Sequence, residues 1–142
     1  MPGSSRILAV DPGSKRIGLA LSDPTGTIAN PLMVLEHRAR LLDAAAVADL
    51  ASSHEAARIV VGQSLDEDGQ PTFEGRRATR FAEALRTQTE LPVELWDEAF
   101  TTRDARAARL ALGVPRKRRA GHLDDLAATV LLQSYLDAHP HV

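Results

Sequence analysis

The chain has 142 residues, the size of one domain, and its 44% hydrophobic and 25% charged composition is that of an ordinary globular protein. Seventeen basic against 19 acidic side chains give a formal charge of -2, which argues against a uniformly basic nucleic-acid-binding domain. With no cysteine, disulfides, thiolate metal sites and a cysteine nucleophile are excluded.

Residues 1–5 lack the basic and apolar regions of a signal peptide. No apolar run approaches the ~20 residues that cross a bilayer, so a cytoplasmic protein with no membrane partner is expected. Residues 6–10 read as a buried strand stopped by Asp11-Pro12-Gly13. Arg16–Ser22 reads as a second strand, followed by the turn signal Asp23-Pro24-Thr25-Gly26. Residues 27–35 predict a third strand, made irregular or placed at an edge by Pro31. Short turns between the three imply an antiparallel meander. The pattern then becomes helical over residues 40–52, with Leu42, Ala45, Ala46, Ala48 and Ala51 at near-helical spacing.

Residues 58–61 predict a short strand, and Gly62 opens a polar loop to Gln70. Residues 74–87 predict a helix with Ala78, Phe81, Ala82 and Leu85 on one stripe. Residues 93–96 predict a fifth strand. Residues 101–112 predict a third helix, with Thr101 and Asp104 placed like a capping box and Gly113 as its stop. Residues 123–137 predict the last helix, with Leu123, Leu126, Ala127, Val130, Leu131 and Tyr135 as its stripe. Strands separated by helices run parallel as a rule. The order therefore predicts a single α/β domain, residues 1–142, with a five-stranded mixed sheet: three antiparallel strands, then two parallel ones, flanked by helices. This matches the ribonuclease H-like architecture, although the order alone permits other α/β sandwiches.

Three carboxylates stand where such a sheet places its chemistry. Asp11 follows the first strand, Glu98 follows the fifth, and Asp124 falls in the first turn of the last helix. Hard oxygen ligands suit Mg²⁺ or Mn²⁺. Two such ions roughly 3.5–4 Å apart would clamp the attacking and leaving oxygens of a phosphodiester. Taken singly, each has a plainer reading. Asp before Pro-Gly is a turn residue, and an acid at a helix start complements the macrodipole.

The basic residues are unevenly spread. Residues 99–122 carry seven basic side chains and one acid, Asp104, a net of +6, whereas residues 41–68 sum to -5. Arg116, Lys117, Arg118 and Arg119 form a basic loop just before Asp124, and Lys15 and Arg16 sit in the turn beside Asp11. These six are the candidate phosphate contacts. Arg76, Arg77 and Arg80 read as a solvated helix face, His122 as a surface residue, and Trp96 as core.

The segment Val10-Asp11-Pro12-Gly13-Ser14-Lys15-Arg16-Ile17-Gly18-Leu19-Ala20 closely resembles the opening motif of the YqgF family, also called RuvX. Ile59-Val60-Val61-Gly62 with Asp68-Gly69, Asp97-Glu98 with Thr101-Thr102, and Leu123-Asp124 with the helix to Gln133 resemble its later motifs. The resemblance covers essentially the whole chain. It implies a RuvC-like, metal-dependent nuclease with a role in pre-16S ribosomal RNA processing, and it places catalytic and metal-binding roles on Asp11, Glu98 and Asp124. It also implies ribosomal or pre-ribosomal partners. Ala99 stands where the family has Arg, Ser64 where it has Pro, and Asp125 where it often has Ser.

The expected reaction is hydrolysis of a phosphodiester by a metal-activated water, leaving a 3′-hydroxyl. RNA is the favoured substrate. A four-way (Holliday) junction DNA resolvase or DNA-repair nuclease is the alternative, and it would act as a symmetric dimer; monomer and homodimer both remain open. A phosphotransferase built on the Asp-Pro-Gly turn would need a second domain. A non-catalytic RNA- or ribosome-binding module is motivated by Ala99.

Overall fold

The structure, a computed structural model, describes residues 5–97 and 123–139. Its strands are β1 (Ile7–Pro12), β2 (Arg16–Ser22), β3 (Ala29–Glu36), β4 (Arg58–Gln63) and β5 (Val93–Asp97). The described helices are α1 (Arg40–Ser53), α2 (Phe73–Arg86) and α3 (Leu123–Ala138). The strands form one sheet in the order β3-β2-β1-β4-β5. β1 pairs antiparallel with β2 and β2 with β3, whereas β1–β4 and β4–β5 are parallel. This is the expected mixed sheet. The predicted helix over residues 101–112 lies outside the described residues.

β1 shows why the sheet has helices on both sides. Successive strand residues point to opposite faces. Leu8 and Val10 join the core under α1 and α2 with Val47, Phe81 and Leu85. Ile7 and Ala9 join a second core under α3 with Leu131, Leu132 and Tyr135. β4 divides likewise, with Ile59 and Val61 on the first face and Val60 on the second. A strand buried on both faces reads as an unbroken apolar run, as both do here.

Pro31 acts as expected of a proline in a sheet. Leu19 pairs with Met33 but Ala20 with Pro31, so Leu32 is an extra residue in edge strand β3. Such a bulge accommodates a residue that cannot donate to the ladder.

Two predicted helix stripes are corrected. In α1 the buried residues are Asp43, Ala44, Val47, Ala48 and Ala51, while Leu42 is exposed. With alanine on several sides the pattern leaves the phase open, and the stripe Ala44, Val47 and Ala51 packs on the sheet and carries Asp43 inward with it. In α3 the buried positions are Ala128, Leu131, Leu132, Tyr135 and Leu136. Leu126, Ala127 and Val130 are only half-buried. By contrast α2 follows its pattern. Thr72 caps it by accepting a hydrogen bond from the Gly75 N–H (3.1 Å), and Ala78, Phe81, Ala82 and Leu85 are buried.

Candidate functional site

Asp11 is the fifth residue of β1 and half-buried. Alternation places it with Ile7 and Ala9, on the α3 face. Its partner across the β1–β2 ladder is Gly18. On the other side Val10 pairs with Val61 of β4, and the next residue of each strand is Asp11 and Gly62. The carboxylate therefore stands between two positions that carry no side chain. The sheet presents an anionic oxygen donor flanked by bare backbone at the carboxyl ends of two parallel strands.

The turn that follows is held tightly. The Gly13 N–H donates to the Arg16 carbonyl (2.9 Å), and a Cβ on Gly13 would lie 2.5 Å from that oxygen. Only glycine fits, which gives the Asp-Pro-Gly motif its steric reason. The turn is strapped to the end of β3 as well, since the His37 N–H donates to the Lys15 carbonyl (2.9 Å). Lys15 and Arg16 are exposed beside Asp11, as the sequence suggested. Neither has an ion-pair partner among the described residues.

The direction of α3 follows from what fixes its last turns. Gln133 Oε1 accepts from the Ala29 N–H (3.0 Å). Arg58 donates to the Tyr135 hydroxyl (3.0 Å), and that hydroxyl donates to Glu94 (3.0 Å). Arg58 also pairs directly with Glu94. Trp96 Nε1 donates to Ser134 Oγ (3.2 Å), and its ring meets Tyr135 edge-on at 5.3 Å. The Tyr135 hydroxyl raises the Arg58 pKa, while burial is the main cause of the raised Tyr135 pKa. Ala29 and Arg58 lie at the end of the sheet where β1 begins. The eleven residues from Asp124 to Tyr135 rise about 16 Å as helix, and the four from Ile7 to Asp11 about 13 Å as strand. The start of α3 thus comes to the level of Asp11.

Of the predicted site residues, the structure brings Asp11, Lys15 and Arg16 to one end of the sheet and directs the first turn of α3 toward it. Glu98, Arg116, Lys117, Arg118 and Arg119 lie outside the described residues, as does the side chain of Asp124. Among the described residues, no group of three His, Asp or Glu side chains is placed to hold a metal ion. The donor chemistry at Asp11, a carboxylate with bare backbone on either side, suits a hard divalent cation.

Sequence reasoning passed over His37 and Asp43. Asp43 is 4% exposed and accepts from both His37 Nδ1 (2.5 Å) and the Arg38 N–H (3.1 Å). No spacing rule links a histidine after a strand to an aspartate six residues on in a helix. The burial of the acid arises only once α1 is docked on the sheet, so the sequence carried no signal for the pair. Arg77, read as solvated, is partly covered: it pairs with Glu74 and lies over the Phe73 ring at 5.8 Å.

Comparison with known proteins follows the same line. A family model described as RuvX, Holliday junction resolvase, matches residues 5–138. A Syntrophus aciditrophicus protein named "Putative pre-16S rRNA nuclease" is 39% identical over 133 residues, 94% of this chain and 89% of its own length. A relative of the same name from Anaeromyxobacter is 40% identical over 132 residues, 93% of this chain and 96% of its own. Among solved structures, Thermus thermophilus RuvC in complex with Holliday junction substrate aligns with a TM-score of 0.58 at 17% identity, over 94% of each chain. Fowlpox virus resolvase with Holliday junction DNA aligns with a TM-score of 0.52 at 13% identity, over 94% of this chain and 97% of its own. These two likenesses establish the fold, the ribonuclease H-like sheet expected from the element order.

Proposed function

The chain belongs to the RuvX family, and from that membership we propose that it is a divalent-metal-dependent nuclease acting on RNA in the 5′ maturation of pre-16S ribosomal RNA. The observation that carries this reading is the position of Asp11, a strand-end carboxylate between Gly18 and Gly62 on a sheet shared with RuvC.

Asp11, Glu98 and Asp124 are the residues that would hold Mg²⁺ or Mn²⁺. Glu98 directly follows β5 in the sequence. Asp124 belongs to the first turn of α3, the turn that reaches the level of Asp11. When bound, the ions would neutralise charge on the scissile phosphate and lower the pKa of a water. The carboxylates' own part would be to fix the cations beside the half-buried Asp11. Lys15 and Arg16, with Arg116, Lys117, Arg118 and Arg119, would grip flanking phosphates and hold the strand in line for attack. Among the described residues no helix is long and apolar enough to cross a membrane. The proposed setting is the cytoplasm, on ribosomal precursors, as monomer or homodimer.

The test is a cleavage panel of single-stranded RNA, RNA–DNA hybrid, single-stranded DNA and a four-way junction, with Mg²⁺ or Mn²⁺. Wild type, Asp11→Ala and Glu98→Gln are compared. RNA is expected to be cut by wild type alone, with circular dichroism unchanged in both variants. Full cleavage by Asp11→Ala would falsify the assignment. Paired, symmetric cuts confined to the junction would favour the resolvase reading that the family's description carries. Metal-independent binding with no cutting of any substrate would favour a binding module.

A further inference from the structure

The end of the sheet that carries Asp11 has a concavity on its opposite face. A pocket of about 170 Å³ lies between the Pro12–Gly13 turn, the start of α1 and α2, and His37, Arg40, Asp43 and Arg77 line it. Asp43 supplies the only carboxylate of that lining among the described residues, and both its oxygens are engaged, Oδ2 by His37 Nδ1 and Oδ1 by the Arg38 N–H. The bond at Nδ1 orients the imidazole and leaves Nε2 as its remaining polar atom. Arg40 is exposed and has no ion-pair partner among the described residues. Arg77 engages Glu74 through one terminal nitrogen, so other donors of its fork remain. The two guanidiniums around a small pocket form a donor set suited to a tetrahedral oxyanion.

We propose that this pocket binds a backbone phosphate of the nucleic-acid substrate, on the same strand as the phosphate presented to Asp11. Asp11 and Pro12 are consecutive in β1 and belong to opposite faces of the sheet, so the strand end is a ridge. A polynucleotide crossing it meets the carboxylate on one side and the pocket on the other. Lys15 is exposed in the turn between, and Arg16, the exposed first residue of β2, falls on the Asp11 side by the same alternation. The pocket's role rests on the nuclease reading above, but it is read by binding rather than by cutting.

The probe is a labelled, uncleavable 2′-O-methyl RNA titrated against the full chain in chelator across a salt series. Arg40→Ala is the principal variant because Arg40 is exposed, and Arg77→Lys is the second because it removes the guanidinium fork while keeping a cation beside Glu74. Each should weaken binding several-fold, and Arg40→Ala should lower the salt slope by about 0.7, the value for one phosphate contact on a single strand. A scan of neutral methylphosphonate linkages then locates the phosphate. One linkage should weaken wild type yet leave Arg40→Ala unaffected, which also separates a polymer phosphate from a free one. Wild-type affinity and slope in both variants, or equal loss at every linkage in wild type and Arg40→Ala, overturns the proposal. Asp11-dependent cleavage persisting in that case leaves the nuclease reading standing. Binding that follows the pocket in a chain that cuts nothing overturns the nuclease reading instead.

Discussion

Asp11 and Gly18 face each other across the β1–β2 ladder. Partners so placed share a face, with Cβ positions about 4.5–5.5 Å apart. A branched side chain at position 18 would stand against the carboxylate. Gly18→Val should cut metal-dependent cleavage by at least about tenfold, equivalent to ~1.4 kcal/mol in the barrier, with the sheet preserved by circular dichroism. Unchanged activity in a folded variant would remove the argument from bare backbone.

Gly75 is fixed by a different neighbour. A Cβ there would lie 2.0 Å from the backbone oxygen of Ser64, which also accepts hydrogen bonds from the Thr72 N–H (3.0 Å) and hydroxyl (3.3 Å). Backbone in such a knot cannot step aside cheaply. Gly75→Ala should destabilise by about 1–3 kcal/mol, the range for overpacking, despite the better helix propensity of alanine. Denaturant unfolding measures it, and a stabilised variant would contradict the close approach.

Tyr135 couples α3 to the sheet. Its ring is 1% exposed and its hydroxyl joins Arg58 to Glu94. Tyr135→Phe keeps the packing and deletes the bridge, so a drop in unfolding free energy of about 0.5–1.5 kcal/mol is expected. Tyr135→Ala should cost about 3–5 kcal/mol, as for other large aromatics.

How far each feature was legible depended on how local its cause was. Arg16–Ser22 was readable residue for residue because turn signals bound an apolar run. Asp11 was readable because the strand, the turn and the carboxylate are contiguous. The phase of α1 was not, because its alanines offer several similar faces and the buried Asp43 finds its partner, His37, in another segment. The extra Leu32 in β3 was equally hidden: Pro31 announced an irregularity, but only the register against Leu19 and Ala20 locates it.

Asp23 gives a pH prediction. The Thr25 hydroxyl, and then the N–H groups of Ile28 and Thr27, hold its carboxyl well below the ordinary value of 3.8. A depressed folded-state pKa adds stability that is present above the unfolded value and is lost as pH falls through the folded one. Stability of the β2–β3 turn should therefore decline below about pH 4, and Asp23→Ala should flatten that decline. Carboxyl chemical shifts that titrate at the ordinary value would contradict the hydrogen-bond network.

The loop of Arg116, Lys117, Arg118 and Arg119 is tested by salt. Replacing all four with Ala should reduce the slope of log affinity against log salt by as much as about 0.7 for each phosphate of single-stranded RNA that is no longer neutralised. An unaltered slope would mean that these charges face only solvent.

The division of the core between two faces has a consequence for how the protein comes into being. β1, β2 and β4 can collapse with α1 and α2 as soon as those segments exist, since they share one core. The opposite face, with Ile7, Ala9, Ala20 and Val60, waits for α3, more than a hundred residues after β1. A nascent chain would therefore expose a half-finished apolar sheet until its last helix docks. The same event delivers Asp124 to the level of Asp11. Completion of that apolar face and arrival of Asp124 beside the proposed site would then be one folding event.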